Sequence, residues 1–394
     1  MTPDELGAAF AARLASDRQL CTEYADRADS FEAAVARQRE LQRLLWDEGW
    51  TRWGWPQACG GNGGTVRHRA VIYEQLADAG IAVPEPYQIL EVAGSAVIKY
   101  APDIAPERIP KAVSGAEVWS LGLSEPDSGS DLASLRTRLA PGEHKGEFAV
   151  SGHKTWNGFA QLSDYSFTLC RTSDPASQHR SQHDSQHGAL TVALVDLRSA
   201  GVTRRPIMAL TGRHEYAEVF FDNVPVPERY LIGGLNQGWA VIAYLMQYER
   251  GTYAWPRQAR LHRRLEDLIA LAPEVLAGDA QRLGQIYLDL VALRLKCRES
   301  LRQLADHDGQ RQGQGPGPSA SVDKLLVVRS EAAVADLARD VLEPDVDLSD
   351  TPDARLWRHD YIYSRALGVF GGTNEIQRNI IAEKLLGLPR DRAR

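Results

Sequence analysis

Ser166-Phe167-Thr168-Leu169-Cys170-Arg171 decides the architecture of this chain. Phe167 and Leu169 alternate with Thr168 and Cys170, a period of two that predicts a strand. The pattern recurs on both sides of this stretch. Leu190, Val192 and Leu194 share a face within Ala189–Asp196, and Val219 and Phe221 share one within Glu218–Asp222. Gly, Pro, Asp and Asn punctuate these runs, as an antiparallel β domain requires. Val224–Glu228 (VPVPE) reads as an extended linker, because each proline disfavours helix at the residue before it. Further out the period returns to about 3.6. Phe31, Ala34, Val35, Leu41, Leu44 and Leu45 form one helical face, and a last helix is expected at roughly 374–386, with Thr373 or Asn374 as its cap, Gly387 past its end and Pro389 beyond. The order is helix, strand, helix: an α+β multidomain chain with expected boundaries at 1–117, 118–234 and 235–394. A parallel nucleotide-binding sheet would alternate strand and helix, and no G-x-G-x-x-G lies between a strand and a helix.

At 394 residues the chain is too long for one small core. A net charge of −7 gives it no electrostatic reason to seek nucleic acid or anionic lipid. Cys21, Cys59, Cys170 and Cys297 form no C-x-x-C pair, which argues against structural zinc or a disulfide framework and fits a reducing cytoplasm. No apolar run reaches the ~18 residues of a membrane span, and the N-terminus carries acids among its alanines rather than a signal pattern. The expected protein is cytoplasmic, with no membrane and no nucleic-acid partner.

Five constellations could carry chemistry. Leu123-Ser124-Glu125-Pro126-Asp127-Ser128-Gly129-Ser130-Asp131 runs from a strand into a tight turn that presents N–H groups and hydroxyls to one spot; taken alone, it reads first as an ordinary hairpin turn. Trp156, in Gly152-His153-Lys154-Thr155-Trp156-Asn157-Gly158, could stack on an aromatic ligand or belong to a core. Phe370-Gly371-Gly372-Thr373-Asn374-Glu375 places two glycines before a capped helix, suited to an anion or to a plain helix start. Trp239, Ile242, Met246, Glu249 and Tyr253 step by three and four along one helix, which puts Glu249 on an apolar stripe. Burial there would raise its pKa and suit a base, unless an Arg or Lys pairs with it or it lies at the stripe's edge. His179, His183 and His187 share a helical spacing but lie in a polar, low-complexity stretch best read as a solvated loop, so no metal site is expected. H-E-x-x-H, G-x-S-x-G and Walker A motifs are absent.

Together these pieces resemble the acyl-CoA dehydrogenase family. Trp55-Pro56…Gly60-Gly61 is similar to its W-P-x-x-x-G-G turn, Ser124–Asp131 to its T-E-P-x-A-G-S-D loop and Lys154-Thr155-Trp156 to its K-x-W strand. Val219–Val226 resembles its V-x-F-D-x-V-x-V strand and Gly372–Arg378 its G-T-x-x-x-x-R segment. The resemblance implies an N-terminal helical domain, a central antiparallel β barrel and a C-terminal four-helix bundle, with FAD held between barrel and bundle. It implies that Leu123 and Ser124 contact the flavin edge and that Ser130 lies near pyrophosphate and acyl-CoA. Trp156 would pack by the ring, and Thr373 and Glu375 would touch the adenosine side. The implied reaction is α,β-dehydrogenation of an acyl-CoA to the trans-2-enoyl-CoA, with an electron-transfer flavoprotein collecting the electrons.

Three departures from the family pattern matter. Most members carry their base just before the G-T pair, where this chain has Gly371. A minority, including isovaleryl-CoA dehydrogenase, place it in an E-R pair on an earlier helix, which Glu249-Arg250 matches; Arg250 and Gly371 would then border the acyl chain. Gly158 stands where the family usually has Thr or Ser near flavin N5. Two elements that a neighbouring subunit usually lends to the ADP half are missing: an R-x-x-F-G start, where the chain reads Arg264-Leu265-Glu266-Asp267, and a Q-x-x-G-G segment, where it reads Asp340-Val341-Leu342-Glu343-Pro344-Asp345. The resemblance therefore implies a homo- or heterotetramer with a paralogous partner, as in the heterotetrameric enzymes of actinobacterial steroid degradation. Two alternatives stay open: a non-catalytic paralogous subunit, and a flavin oxidase or monooxygenase on the same fold.

Overall fold

The computed structural model describes residues 1–27, 29–172, 189–309 and 317–390. Six helices come first: α1 (Pro3–Ala15), α2 (Arg18–Glu23), α3 (Phe31–Asp47), α4 (Val66–Asp78), α5 (Pro86–Tyr100) and α6 (Ala105–Val113). Their ends follow the side chains. Thr2 and Glu5 close a reciprocal capping box on α1, and the Ser30 hydroxyl accepts from Ala33 N on α3.

Eight strands follow: β1 (Trp119–Gly122), β2 (Arg138–Pro141), β3 (Glu147–Gly158), β4 (Tyr165–Thr172), β5 (Leu190–Asp196), β6 (Val202–Ile207), β7 (Tyr216–Pro227) and β8 (Leu231–Ile232). They form one sheet in the order β6-β7-β3-β2-β4-β5-β8, with β1 also on β4. The sheet departs from the expected antiparallel barrel in two ways: it is not closed, and it is mixed. β1 pairs parallel with Tyr165–Thr168, and β2 pairs parallel with Arg171 and Thr172, along the edge of β4 that β5 leaves free. The two short strands are thus one interrupted line wedged between β3 and β4. A strand between antiparallel neighbours must run parallel to one of them. Residues 123–137 leave the sheet at the interruption.

Val224–Pro227 is not a linker. It is the end of β7 and pairs with Glu147–Val150 of β3. The pairing with β6 stops at Phe221, so prolines 225 and 227 lie where the second edge of β7 is free, and the alternation still buries Val224 and Val226.

The C-terminal part holds α7 (Gly238–Leu271), α8 (Pro273–Gly278), α9 (Ala280–Gly309), α10 (Ala320–Leu342), α11 (Asp345–Leu348), α12 (Pro352–Ala366) and α13 (Asn374–Ile380). The four long members, α7, α9, α10 and α12, pack together as a bundle. α7 is its axis and also meets α4 and α5, where Trp255 Nε1 donates to Ala70 O at 2.8 Å. α13 is shorter than expected; its cap is Thr373, whose hydroxyl accepts from Ile376 N, and a π-helical turn at Ile381–Leu385 precedes Gly387. Among the described residues no helix is long and apolar enough to cross a membrane, and all four cysteines are free thiols. His179, His183 and His187 lie outside the described residues.

Candidate active site

The 123–137 excursion is pinned by a buried ion pair. Lys154 Nζ reaches Glu125 Oε1 and Leu123 O, both at 2.9 Å, and the Glu125 carboxylate accepts from Arg136 N (2.7 Å) and Thr137 N (2.8 Å). Burial alone would raise the Glu125 carboxyl; the Lys154 ammonium and these N–H groups hold it below its ordinary value instead. Reciprocal backbone bonds between Glu125 and Ser128 close the turn, and Thr155 N donates to Ser124 O at 3.0 Å. Leu123 and Ser124 are therefore fixed beside the last residues of β3, while Ser130 stays exposed on the excursion.

Trp156 sits there with 62% of its surface exposed and φ +58°, a left-handed backbone that a tryptophan rarely adopts. A side chain held in that conformation and left open is not a core residue. A Cβ built on Gly158 meets nothing within 4 Å, so the space beside β3 is free. From Trp156 a row of rings crosses to the bundle. Trp156 lies edge-on to Tyr216 at 6.2 Å, Tyr363 interacts with Tyr216, and Tyr253, Tyr363 and Phe370 gather at 6.0–6.2 Å. Burial pushes the Tyr216 phenol up to about 12 and raises those of Tyr253 and Tyr363 well above their ordinary value. Arg257 Nη1 donates to both oxygens of Glu331 at 3.0 Å.

At the bundle end of this row, Gly371 (φ +65°) stands over Glu249. A Cβ there would be 2.8 Å from Glu249 Oε1 and 3.4 Å from Lys324 Nζ. Glu249 is half-buried. The expected stripe is corrected at its start: Trp239 is 39% exposed, and the buried face of α7 runs instead through Val241, Leu245, Tyr248 and Thr252. Glu249 flanks that face rather than lying on it. Lys324 is 4% exposed, with its ammonium 4.8 Å from the centres of both the Tyr253 and Phe370 rings. Burial brings it down to about 8 against the opposing pull of Glu249.

The structure thus groups Leu123, Ser124, Trp156 and Gly158 at one end of this row of rings, and Glu249, Gly371 and Lys324 at the other. Thr373 spends its hydroxyl on the helix cap. Glu375 is exposed beside Arg378 at 3.4 Å. The side chain of Arg250 lies outside what is described. Sequence reasoning missed Lys324, although its signal was present: Ala320, Lys324, Val327, Glu331 and Val334 are all buried and step by four and three.

Family models described as the N-terminal, middle and C-terminal domains of acyl-CoA dehydrogenase match residues 11–115, 120–224 and 236–386. The chain is 34% identical to acyl-CoA dehydrogenase IpdE1 of Mycobacterium tuberculosis, over 91% of this chain and 90% of that protein. Among solved structures it is similar to the Tcur3481-Tcur3483 steroid ACAD, with 25% identity, a TM-score of 0.80 and 99% and 98% of the two chains covered. It shares its fold with a chain of the ChsE4-ChsE5 complex from Mycobacterium tuberculosis, at 23% identity and a TM-score of 0.78, covering 99% and 98%.

Proposed function

The chain belongs to the acyl-CoA dehydrogenase family of oxidoreductases, and from that premise we propose that it takes the α proton of an acyl-CoA thioester with Glu249 and yields the trans-2-enoyl-CoA. The observation that carries this is the contact of Glu249 with the place Gly371 leaves empty. A base before the G-T pair is missing, and a carboxylate oxygen from α7 borders the same position, 2.8 Å from where a Cβ on Gly371 would stand.

The residues present fit FAD. An exposed indole beside an open strand end, with Leu123 and Ser124 held next to it, offers a flat ring an apolar wall and hydrogen-bonding groups. At the bundle end of the row of rings, Asn374 Oδ1 and Gln377 Oε1 are buried with no hydrogen-bond partner among the described residues. Thr373 and Glu375 flank them on the side assigned to the adenosine, and Ser130 is accessible to pyrophosphate or pantetheine. FAD, when bound, would supply the two-electron acceptor for the β hydrogen. The chain's own part is proton chemistry. Glu249, half-buried at the bundle end of the row of rings, accepts the α proton as general base. Gly371 leaves room for the acyl chain beside that carboxylate. A bulky or branched acyl group, such as a steroid side-chain thioester, suits this gap, and an electron-transfer flavoprotein is the acceptor in this scheme. A cytoplasmic site goes with it.

The ADP half of FAD needs a donor that this chain does not supply to its own kind. Arg264, at the position of the missing R-x-x-F-G start, is buried and spent on Asp26 and Asp360, both at 3.1 Å. Tyr287, Leu288 and Leu295 leave an exposed apolar stripe on α9, as expected of a surface that another subunit covers. A heterotetramer with a paralogue supplying the ADP-binding groups accounts for both. The test is to express the chain alone and with a paralogous partner, then measure mass and flavin content. The proposal expects little flavin alone and fewer flavins than subunits in the complex; a yellow homotetramer with one FAD per chain contradicts it.

A further inference from the structure

We propose that Glu85, the residue before α5, determines specificity: its carboxyl group, beside Tyr363, accepts a hydrogen bond from a hydroxyl on the acyl group, so the preferred substrate is a bulky hydroxyacyl-CoA whose hydroxyl is remote from the thioester. The inference rests on the acyl group lying beside Gly371, as proposed above.

Glu85 stands between Pro84 and Pro86, and Pro86 opens α5. It holds the capping position, yet its side chain caps no N–H of the first turn. Its own backbone N–H donates to Gln38 Oε1 at 3.2 Å. The helix dipole favours an acid at this end, but that does not explain a side chain turned away from the N–H groups. The carboxyl makes no hydrogen bond or ion pair among the described residues, although Glu85 is half-buried and burial raises it against the pull of Arg213, Arg257 and His359. One turn on, Ile89 packs on the cluster of Phe31, Val35, Val118 and Phe159, and the Arg213 guanidinium lies 5.6 Å from the centre of the Phe31 ring. This end of α5 therefore faces the start of β7.

The charges that act on Glu85 are Arg213, Glu215, Arg257 and His359. Those four are engaged elsewhere. His359 Nε2 meets Glu215 Oε1 at 3.0 Å and Arg213 Nη1 at 3.1 Å, and Arg257 holds Glu331. Glu85 in turn acts on the phenols of Tyr216 and Tyr363. His359 stacks on Tyr363 at 5.6 Å, and Tyr363 lies 6.0 Å from Phe370, the residue before Gly371. An acyl group that starts beside Gly371 reaches Glu85 by way of Phe370 and Tyr363.

The chemistry of this end selects a hydroxyl. Glu85 and Glu215 repel a second carboxylate, and Arg213, Arg257 and His359 oppose an ammonium. A hydrocarbon leaves the carboxyl desolvated and unbonded, which is costly. A ketone can only accept, so it suits only a neutral Glu85. A hydroxyl donates to either form.

The test uses the FAD-loaded protein, with its partner subunit if one is needed, and an acyl-CoA panel: cyclohexylpropanoyl-CoA and its ring-hydroxylated and ring-keto counterparts, with the oxygen at each ring position in turn. Binding is titrated calorimetrically with their enoyl-CoA products, which separates affinity from the chemical step. Wild type is compared with Glu85→Leu and Glu85→Met, so a folding failure of one leaves the other. Wild type is expected to bind at least one hydroxylated member about ten-fold tighter, or more, than the plain compound and the matching ketone. The ratio should fall to near unity in both variants. A merely structural Glu85 would weaken all members alike and keep the ratio. A wild type that prefers no hydroxylated member, or a preference kept in either variant, overturns the role of Glu85. Failure of wild type to bind any member overturns that role and the acyl-CoA reading together. Undiminished flavin reduction by Glu249→Gln overturns the base assignment alone, since the affinity ratios do not depend on it.

Discussion

Gly371 and Glu249 occupy one site by exclusion: a Cβ on the glycine would lie 2.8 Å from the carboxylate oxygen, and the glycine's φ of +65° disfavours any side chain. A residue with a base at 371 and one with a base at 249 are therefore alternatives, not additions. Gly371→Glu is expected to destabilise the protein by ~1–3 kcal/mol through its backbone alone and not to improve turnover of any bulky acyl-CoA. Urea unfolding and the acyl-CoA panel measure the two effects. Faster turnover of a bulky substrate would show that the space is not used by the acyl chain.

Trp156 makes little of its surface available to the core. Trp156→Ala should change stability of the cofactor-free protein by no more than ~0.5 kcal/mol, while weakening FAD binding roughly ten-fold, the upper range of a lost aromatic contact. Trp156→Gly should stabilise the cofactor-free protein, because the left-handed φ no longer opposes folding. Calorimetry and flavin titration separate the two; unfolding of Trp156→Ala would make the ring structural.

Gly158 faces open space and does not need a glycine's backbone freedom. Gly158→Ser is expected to fold with a stability change within ~0.5 kcal/mol and to hold FAD at least as tightly, by adding a hydroxyl beside the ring. Weaker flavin retention after dialysis would show that the ring comes closer to β3 than a side chain permits.

Glu125 and Lys154 are a buried pair, so removing one partner strands the other. Glu125→Gln should cost ~3–5 kcal/mol at neutral pH. The Glu125 carboxyl is held below its ordinary value in the folded state. Its contribution is therefore present above the ordinary carboxylate range and is lost as pH falls through the lowered value. Urea unfolding of wild type and variant at neutral and acidic pH should show the gap closing in acid; a gap that widens there would reverse the sign.

These residues also show what a single sequence could reveal. Local periodicity found the helix–strand–helix order, because alternation in Ser166–Arg171 and the three-and-four spacing around Phe31 are read from neighbours. It could not find the mixed sheet, which arises from β1 and β2 inserting between strands that follow them in the chain. It misread Val224–Pro227, since whether prolines fit a strand depends on which edge is paired. The Glu125–Lys154 bond spans 29 residues, and the gap shared by Glu249, Lys324 and Gly371 joins three separate elements. The missing base at 371 and the stripe on α7 each singled out Glu249, but the stripe was misdrawn: Trp239 is exposed, and Glu249 flanks the buried face of α7 and does not lie on it.

The central claim is that Glu249 takes the α proton. The most direct measurement is rapid-mixing flavin reduction in Glu249→Gln, reconstituted with FAD and, if required, its partner subunit, against an acyl-CoA that bleaches the wild type. The account predicts retained binding of FAD and acyl-CoA with reduction slowed by at least ~10²-fold, as loss of a general base requires. Reduction at close to the wild-type rate would contradict it.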